Sequence, residues 1–359
     1  MQDVLVIGGN RYFGKRLIAL LRESGHRVTI LNRGSSGAPE GIEQLVADRD
    51  DEAALAAVLA GRSFDVVVDQ VCYTPRQAEI ARRVFATRTR RNVMTSTVEV
   101  YEYEDSASPV AEDALDLGTV AVDTGAAWEE PEFREAHYGE GKRQAEAVFA
   151  GAGRGAGTGA GAGTGAGAGV GAGARTGTGT DADAGGGAGA RTGTDADAGV
   201  GAGAAAQGGA SPFAWASVRV AHVLGGADDF TGRLDHYARR IRSGEPIAVP
   251  VVNRPATYVY VEEIAAFLAW AAVGTDFTGP VNAHSHGPLT TAEICAEIER
   301  RVGGRTVFRE VEVGETSPFS FSRSYGMDNS RATDLGYSFS HSSDWLADAV
   351  AETLGEVTG

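Results

Sequence analysis

The chain has 359 residues, 50 of them glycine, and a formal net charge of −16 at pH 7. Such an acidic chain repels phosphate backbones and anionic lipid surfaces, so we expect no nucleic-acid partner and no membrane partner, and we expect a small-molecule substrate. Two cysteines far apart, no apolar run of the ~18 residues that a membrane span needs and no secretory leader favour a cytoplasmic protein.

The first third of the sequence alternates short apolar runs with helical patterns. The apolar runs, which predict strands, are "DVLVIG", "RVTILN", "EQLVAD", "FDVVVDQV" and "RNVMTST". Between them, "GKRLIALLRESG", "DEAALAAVLAG" and "RQAEIARRVFA" carry apolar residues at helical spacing. Strands that are buried on both faces and alternate with helices predict an α/β fold with a doubly wound parallel sheet.

A glycine-rich turn joins the first predicted strand to the first predicted helix. Its residues are Gly8, Gly9, Asn10, Arg11, Tyr12, Phe13 and Gly14. Glycine lets backbone N–H groups approach a pyrophosphate at the positive end of the helix, so we predict a dinucleotide site here. Arg11 stands where the common G-x-x-G-x-x-G spacing has its middle glycine, and it adds a cation near the phosphates. An ordinary strand-to-helix turn is the alternative.

The second predicted strand ends with Asn32 and Arg33. An NAD site usually offers an Asp or Glu to the ribose 2′-hydroxyl at this point. A guanidinium clamps a 2′-phosphate whereas a carboxylate repels it, so NADP is predicted in preference to NAD. A solvated arginine in a turn is the alternative role for Arg33. Asp48, which closes the third predicted strand, is a weaker candidate that would accept a hydrogen bond from the adenine amino group.

Hydroxyl side chains and a tyrosine–lysine pair form the second candidate constellation. Thr95, Ser96 and Thr97 end the fifth predicted strand, at the edge where ligands of open α/β sheets bind. Tyr138 and Lys142 share a face of a predicted helix. A phenol needs a nearby cation to lower its pKa toward neutrality, and an ammonium can also bind ribose hydroxyls. Lys142 is one of two lysines in an arginine-rich chain, although a solvated surface lysine is the alternative.

Residues 151–210 consist almost entirely of Gly, Ala, Thr and a few charged residues. They offer almost no large apolar side chain to bury, so a disordered insertion is predicted. Beyond it, "FAWASVRVAHVLG" predicts the next core strand and "YVYVEEIAAFLAWA" a strand followed by a helix. "TTAEICAEIERRVG", capped by Thr290 or Thr291, and "DWLADAVAETLG" predict two further helices.

Five of these segments together resemble a known family. The segments "GGNRYFG", "TSTVEVY", "YGEGK", "VRVAHVLG" and "YVYVEEIA" are similar to the NAD(P)-dependent epimerase/dehydratase family, among the extended and atypical short-chain dehydrogenases/reductases. The resemblance implies a Rossmann-type NAD(P)-binding domain formed by residues 1–150, 211–224 and 256–280. It implies a smaller C-terminal substrate-binding lobe formed mainly by residues 225–255 and 281–359.

The resemblance also implies roles for individual residues. Tyr138 would be the catalytic acid/base, Lys142 its electrostatic partner and ribose ligand, and Thr97 the hydroxyl that assists the tyrosine. Glu99 would be an additional base or a charged residue that caps a loop. Sugar-nucleotide dehydratases carry an acid at the position of Val98, so water elimination by their scheme is not expected.

Two further features are candidates for ligand sites. Arg254 resembles a basic residue that contacts a substrate diphosphate, although it lies two positions from the usual spacing, and a surface salt bridge is the alternative. His284 and His286 form an H-x-H pair without a recognisable third ligand, so no metal site is predicted.

The resulting hypothesis is an NAD(P)-dependent oxidoreductase or epimerase that acts on a hydroxyl or carbonyl group of a sugar-like substrate, with a nucleotide-linked sugar as one option. A non-catalytic NADP-binding protein that keeps the fold in a regulatory or structural role is the alternative. A homodimer is left open.

Overall fold

A computed structural model provides the structure of the protein, and it describes residues 1–35, 37–102, 104, 109–151 and 214–355. The predicted disordered insertion, residues 151–210, lies outside the described residues except for Gly151. Within the described ranges, no helix combines the length and the apolar character that a bilayer span requires.

The main sheet contains parallel strands only. Its strands are β1 (Asp3–Ile7), β2 (Arg27–Asn32), β3 (Glu43–Val46), β4 (Phe64–Asp69), β5 (Thr89–Thr97), β6 (Ala214–Val220) and β10 (Gly279–Ala283). Among the described residues they lie in the order β10-β6-β5-β4-β1-β2-β3. From β3 to β6 this is the strand order of dinucleotide-binding sheets, which bind ligands at their carboxyl edge where the order reverses, here between β1 and β4.

Helices cover both faces of this sheet. One face carries α1 (Phe13–Glu23) and α7 (Val261–Ala269), and the other carries α2 (Glu52–Val58), α3 (Pro75–Phe85) and α5 (Tyr138–Ala150). Side chains of β1 alternate between the faces, so that Val4 and Val6 pack on the first and Leu5 and Ile7 on the second. The predicted doubly wound α/β fold is therefore confirmed.

The remaining elements, several of which surround a third apolar cluster, lie outside the main sheet. They are α4 (Pro131–Ala136), α6 (Arg233–Ser243), α8 (Thr291–Val302), α9 (Ser330–Asp334) and α10 (Ser342–Thr353), with the strand pairs β7 (His222–Leu224) with β9 (Tyr258–Tyr260) and β8 (Ile247–Pro250) with β11 (Phe308–Val311). Helices α6, α8 and α10 supply most of the cluster. Thr290 caps α8 and forms a capping box with Glu293, as one of the two predicted caps.

One predicted strand divides into two. The segment predicted as a continuous core strand forms β6 in the main sheet and β7 in a separate pair with β9. The break falls at Ala221, whose N–H still bonds to the Ala283 carbonyl at 3.1 Å, after which the chain leaves the sheet. This departure brings His222 to the carboxyl edge of the sheet.

Gly151 and Ala214, the residues on either side of the segment 152–213, both lie at the amino edge of the main sheet. Gly151 ends α5 in a left-handed conformation, with φ at 98°, and Ala214 begins β6 opposite Arg91 of β5. The rings of Phe149 and Trp215 stack with centroids 6.2 Å apart. Because α5 rises about 1.5 Å per residue, its first residue lies roughly 20 Å from this joint.

Candidate active site

The glycine-rich turn has the close geometry that the pattern predicts. Gly8 and Gly9 adopt φ values of 84° and 79°, and a Cβ atom on Gly14 would lie 2.6 Å from Gly9 Cα. A side chain at Gly14 would therefore push α1 away from the turn. The turn keeps bare backbone beside the first turn of a helix, which fits the pyrophosphate of a dinucleotide.

Tyr12 holds the strained position of this turn, which the sequence pattern does not indicate. It adopts φ 53° and ψ −134° at the N-cap of α1, a region that costs a non-glycine residue of order 1–3 kcal/mol. The residue is 3% exposed, and its hydroxyl has no hydrogen-bond partner within the described part of the chain. Burial, with Asp229 adding to it, raises the pKa of this hydroxyl. Arg11, by contrast, is exposed.

The end of β2 presents an arginine and no carboxylate. Asn32 Oδ1 accepts hydrogen bonds from Gly34 N and Gln44 Nε2, both at 2.8 Å, which fixes its side chain within the turn. Arg33 is exposed, and its guanidinium has no ion-pair partner among the described residues. Asp48 is exposed two residues beyond β3, and its Oδ1 accepts from Asp50 N at 3.0 Å. Asp48 therefore closes a turn, and its adenine role stays a prediction.

The structure brings Tyr138, Lys142 and Thr97 together. Tyr138 is the first residue of α5, and the Thr97 side chain acts on its hydroxyl by lowering its pKa. Lys142, one turn later, is 1% exposed and donates from Nζ to Thr95 O at 2.6 Å. Its Nζ lies 4.5 Å from the ring centroid of Tyr73 and 5.9 Å from that of Tyr138. The predicted constellation is thus assembled at the carboxyl end of β5.

The pKa values of the pair differ from the sequence-based expectation. Burial lowers the pKa of Lys142 to about 8, although Cys72 and Asp69 act in the opposite direction. The pKa of Tyr138 is raised, first by the desolvation of its hydroxyl and then by Tyr73, while Thr97 lowers it. The expectation that Lys142 lowers the tyrosine pKa is therefore not met in this structure, because the ammonium points at Thr95 O and the Tyr73 ring.

Two glycines of the "YGEGK" segment let α5 approach the strand ends. A Cβ atom on Gly139 would lie 2.5 Å from Glu99 O, and one on Gly141 would overlap Tyr73 O. Glycine is unfavourable inside a helix, so its presence at both positions reflects close backbone contact. This spacing seats Tyr138 and Lys142 against β5.

Glu99 connects the end of β5 to the C-terminal part of the chain. Its Oε2 accepts from Arg323 Nη2 and from the Tyr325 hydroxyl, each at 3.1 Å. Burial raises the pKa of Glu99, whereas Arg323 and Tyr325 act in the opposite direction. Glu99 thus lies beside Gly139 at the site, and both predicted roles, base and structural residue, remain compatible with its position.

A buried charge network that no sequence motif indicates connects α5 to the main sheet. Glu146 and Arg219 are both fully buried, and Arg219 Nη2 donates to Glu146 Oε2 at 2.6 Å. Arg219 Nη1 also donates to the Tyr101 hydroxyl at 2.6 Å, and Ser217 donates to Glu146 at 2.8 Å. The available signal was an arginine in the middle of an otherwise apolar strand. The network joins α5 to β6 and to the 3₁₀ turn Val98–Tyr101, which follows Thr97.

The remaining residues considered as ligands each make a hydrogen bond to a backbone carbonyl. Arg254 is exposed and donates from Nε to Ser322 O at 3.2 Å, and its contact with a substrate diphosphate stays a prediction. His284 is buried, and burial lowers its pKa to about 4. His286 is exposed and its N–H bonds to Ser340 O at 2.8 Å.

The comparisons with known proteins address the family and the fold. Residues 4–117 match the family model described as the NAD dependent epimerase/dehydratase family. The 3-diazoavenalumate denitrifying reductase of a Streptomyces species is 46% identical over 69 residues, which are 19% of this chain and 22% of that protein. The match therefore spans about a fifth of either protein.

Solved structures with the same fold cover nearly the whole chain. UDP-glucose 4-epimerase from Thermotoga maritima, solved with UDP-glucose, has a TM-score of 0.63 at 15% identity over 98% of this chain and 97% of that chain. UDP-glucose 4-epimerase from Thermus thermophilus, solved with NAD, has a TM-score of 0.56 at 16% identity over 99% of both chains. Their likeness shows the fold. The family-model match covers residues 4–117, the part of the chain that holds the glycine-rich turn, and it names the family that the sequence resembles.

Proposed function

We propose that the protein is an NAD(P)-dependent oxidoreductase or epimerase that acts on a hydroxyl or carbonyl group of a sugar-like substrate, with a nucleotide-linked sugar as one option. The observation that carries this proposal is the convergence of Tyr138, Lys142 and Thr97 at the carboxyl end of β5. The family-model match of residues 4–117 and the NAD-bound structure with the same fold support it. The division into a Rossmann domain and a substrate lobe belongs to the same proposal.

Each residue of the constellation has a distinct task. The raised pKa keeps Tyr138 protonated at neutral pH, so its hydroxyl is suited to give a proton to a substrate carbonyl oxygen. A bound nicotinamide cofactor would supply the hydride. Thr97 orients that hydroxyl. Lys142 has three N–H donors, and within the described residues Thr95 O is the acceptor of one, which leaves two for the ribose hydroxyls.

The cofactor is proposed to be NADP in preference to NAD. The glycine-rich turn would hold the pyrophosphate, and the exposed Arg33 guanidinium would clamp the 2′-phosphate. Asn32 supports this preference because its neutral amide, held by Gly34 and Gln44, replaces the carboxylate that would repel a phosphate.

Removal of the Tyr138 hydroxyl tests the proposal. Tyr138→Phe should lower turnover by about 10²–10⁴-fold, because the proton donor is lost. NADPH binding, measured by fluorescence titration, should stay unchanged. Turnover is followed as NADPH oxidation and as substrate epimerisation with a panel of free and nucleotide-linked sugars, and net cofactor consumption separates a reductase from an epimerase.

Tyr337→Phe is the matched control, since Tyr337 packs on Phe267 and Trp270 away from this constellation. Equal turnover of Tyr138→Phe and the wild type would favour the alternative, a non-catalytic NADP-binding protein.

A further inference from the structure

Aromatic side chains form a continuous patch next to the candidate site. The patch consists of His222, Tyr258, Phe319, Phe321 and Tyr325. His222 stacks on Phe321 with centroids 5.0 Å apart and an interplanar angle of 8°, and it lies 5.2 Å from the Tyr325 ring. Tyr325 in turn donates to Glu99, which packs against Gly139 beside Tyr138. The aromatic patch therefore extends to the end of β5, beside Tyr138.

Two polar atoms of the aromatic patch are buried without a partner. His222 is 8% exposed and Tyr258 is 1% exposed. Within the described part of the chain, neither His222 Nε2 nor the Tyr258 hydroxyl has a hydrogen-bond partner. Burial together with Arg233 and Arg323 lowers the pKa of His222 to about 3, so its ring is neutral at physiological pH. An unpaired buried polar atom is costly, and a bound polar ligand would remove that cost.

Two arginines flank the aromatic patch, and they differ in whether a carboxylate of the described residues neutralises their charge. Arg323 stacks 3.8 Å above the Tyr325 ring centroid and pairs with Glu99 at 3.1 Å. Arg233, the first residue of α6, lies 5.9 Å from the Phe319 ring centroid. Among the described residues, its guanidinium has neither a hydrogen bond nor an ion pair. One partly buried positive charge is thus left without a counter-charge.

We propose that Arg233 binds a carboxylate of the substrate. His222 and Tyr258 supply neutral hydrogen-bond partners next to that carboxylate. Phe321 and Tyr325 contact a planar substrate body. The inference rests on the oxidoreductase chemistry proposed for Tyr138, and it assigns a planar carboxylate as the substrate in place of a sugar-like molecule. A guanidinium matches one carboxylate in a bidentate geometry. A diphosphate carries more negative charge than the single uncompensated cation balances, because Glu99 already neutralises Arg323. The aromatic patch favours a planar or aromatic body.

Binding of a charged and an uncharged probe of the same shape tests this inference. The probes are trans-cinnamate and cinnamamide, titrated calorimetrically into the full-length protein saturated with NADP. The wild type should bind cinnamate at least tenfold more tightly than cinnamamide, and Arg233→Gln should remove that difference. Arg233→Lys should weaken binding to an intermediate degree, because the charge stays and the planar fork is lost.

Arg242→Gln is the matched control, since Arg242 is exposed on the same helix and should leave cinnamate binding unchanged. NADP binding and thermal unfolding of each variant verify that the fold is intact. Equal affinity for the two probes, no binding of either, or equal cinnamate affinity in Arg233→Gln and the wild type would overturn the inference. UDP binding that depends on Arg233 while cinnamate binding does not would also overturn it and indicate a nucleotide instead. None of these outcomes alters the Tyr138→Phe test, so the two proposals fail separately.

Discussion

The N-terminal and C-terminal parts of the chain form two sides of the candidate site, and these sides differ in the size of their residues. The N-terminal side uses the smallest residues, with Gly14, Gly139 and Gly141 placed where a Cβ atom would meet neighbouring backbone. The C-terminal side uses large rings and guanidinium groups, represented by Phe321 and Arg233. Close backbone contact fixes the chemistry on one side, and side-chain variety is available for recognition on the other. This difference predicts where substitutions are tolerated.

After Tyr138→Phe, the largest effect is expected at Lys142. Lys142→Arg keeps the charge but places a larger planar group in a position that is 1% exposed and sits 4.5 Å from the Tyr73 ring centroid. We expect kcat/KM to fall by roughly 10²-fold, because small displacements within such a site have effects of that size. Steady-state kinetics measure it, and Lys15→Arg at the exposed second lysine should be silent. Full activity of Lys142→Arg would remove the reason given for lysine at this position.

The next largest effect is expected on stability, where Gly139 of α5 contacts the backbone of Glu99. Gly139→Ala adds a Cβ atom 2.5 Å from Glu99 O, so α5 or the 3₁₀ turn must shift. We expect the free energy of unfolding to fall by about 1–3 kcal/mol, although alanine is the better helix former. Denaturant titration measures it. Gly37→Ala, where a Cβ atom meets nothing within 4 Å, is the control. A variant of Gly139 as stable as the wild type would show that the two sides do not differ in tolerance.

A smaller effect is expected in cofactor choice. Arg33→Glu replaces an exposed cation by an acid at the end of β2. The ratio of NADP to NAD affinity should fall by about 10- to 100-fold, since a charge-assisted contact becomes a repulsion. Fluorescence titration with both cofactors measures this ratio, with Arg22→Glu as a control at another exposed arginine. An unchanged ratio would assign Arg33 to the alternative role of a solvated turn residue.

The smallest effect is expected from the largest change. Deletion of residues 155–207 leaves the two ends of the segment at the amino edge, where Phe149 and Trp215 stack. Because the site lies at the opposite end of α5, kcat/KM should stay within about twofold of the wild type, and loop closure depends only weakly on length. A shortened protein that folds, by circular dichroism, yet loses most of its turnover would contradict this expectation.

Predictability from the sequence follows the same division. The glycine-rich turn and the Tyr138–Lys142 pair were predictable because each is a local pattern within one strand-to-helix turn or one helix. His222, Arg233 and Tyr325 meet only through the separate pairing of β7 with β9 and the return of the chain near residue 320. No spacing along the chain encodes that meeting. The pKa of Tyr138 was also beyond reach, because it depends first on the desolvation of its hydroxyl and then on Tyr73.

The buried ion pair of Glu146 and Arg219 has a consequence for how α5 is oriented. A helix held only by apolar contacts can rotate or slide by small amounts at little energetic cost, whereas a fully buried carboxylate must face its guanidinium. Glu146 lies one turn beyond Lys142 on the same helix. The ion pair therefore fixes the rotation of α5 about its own axis. Through that rotation it sets the direction in which the Tyr138 phenol faces Thr97, two helical turns away.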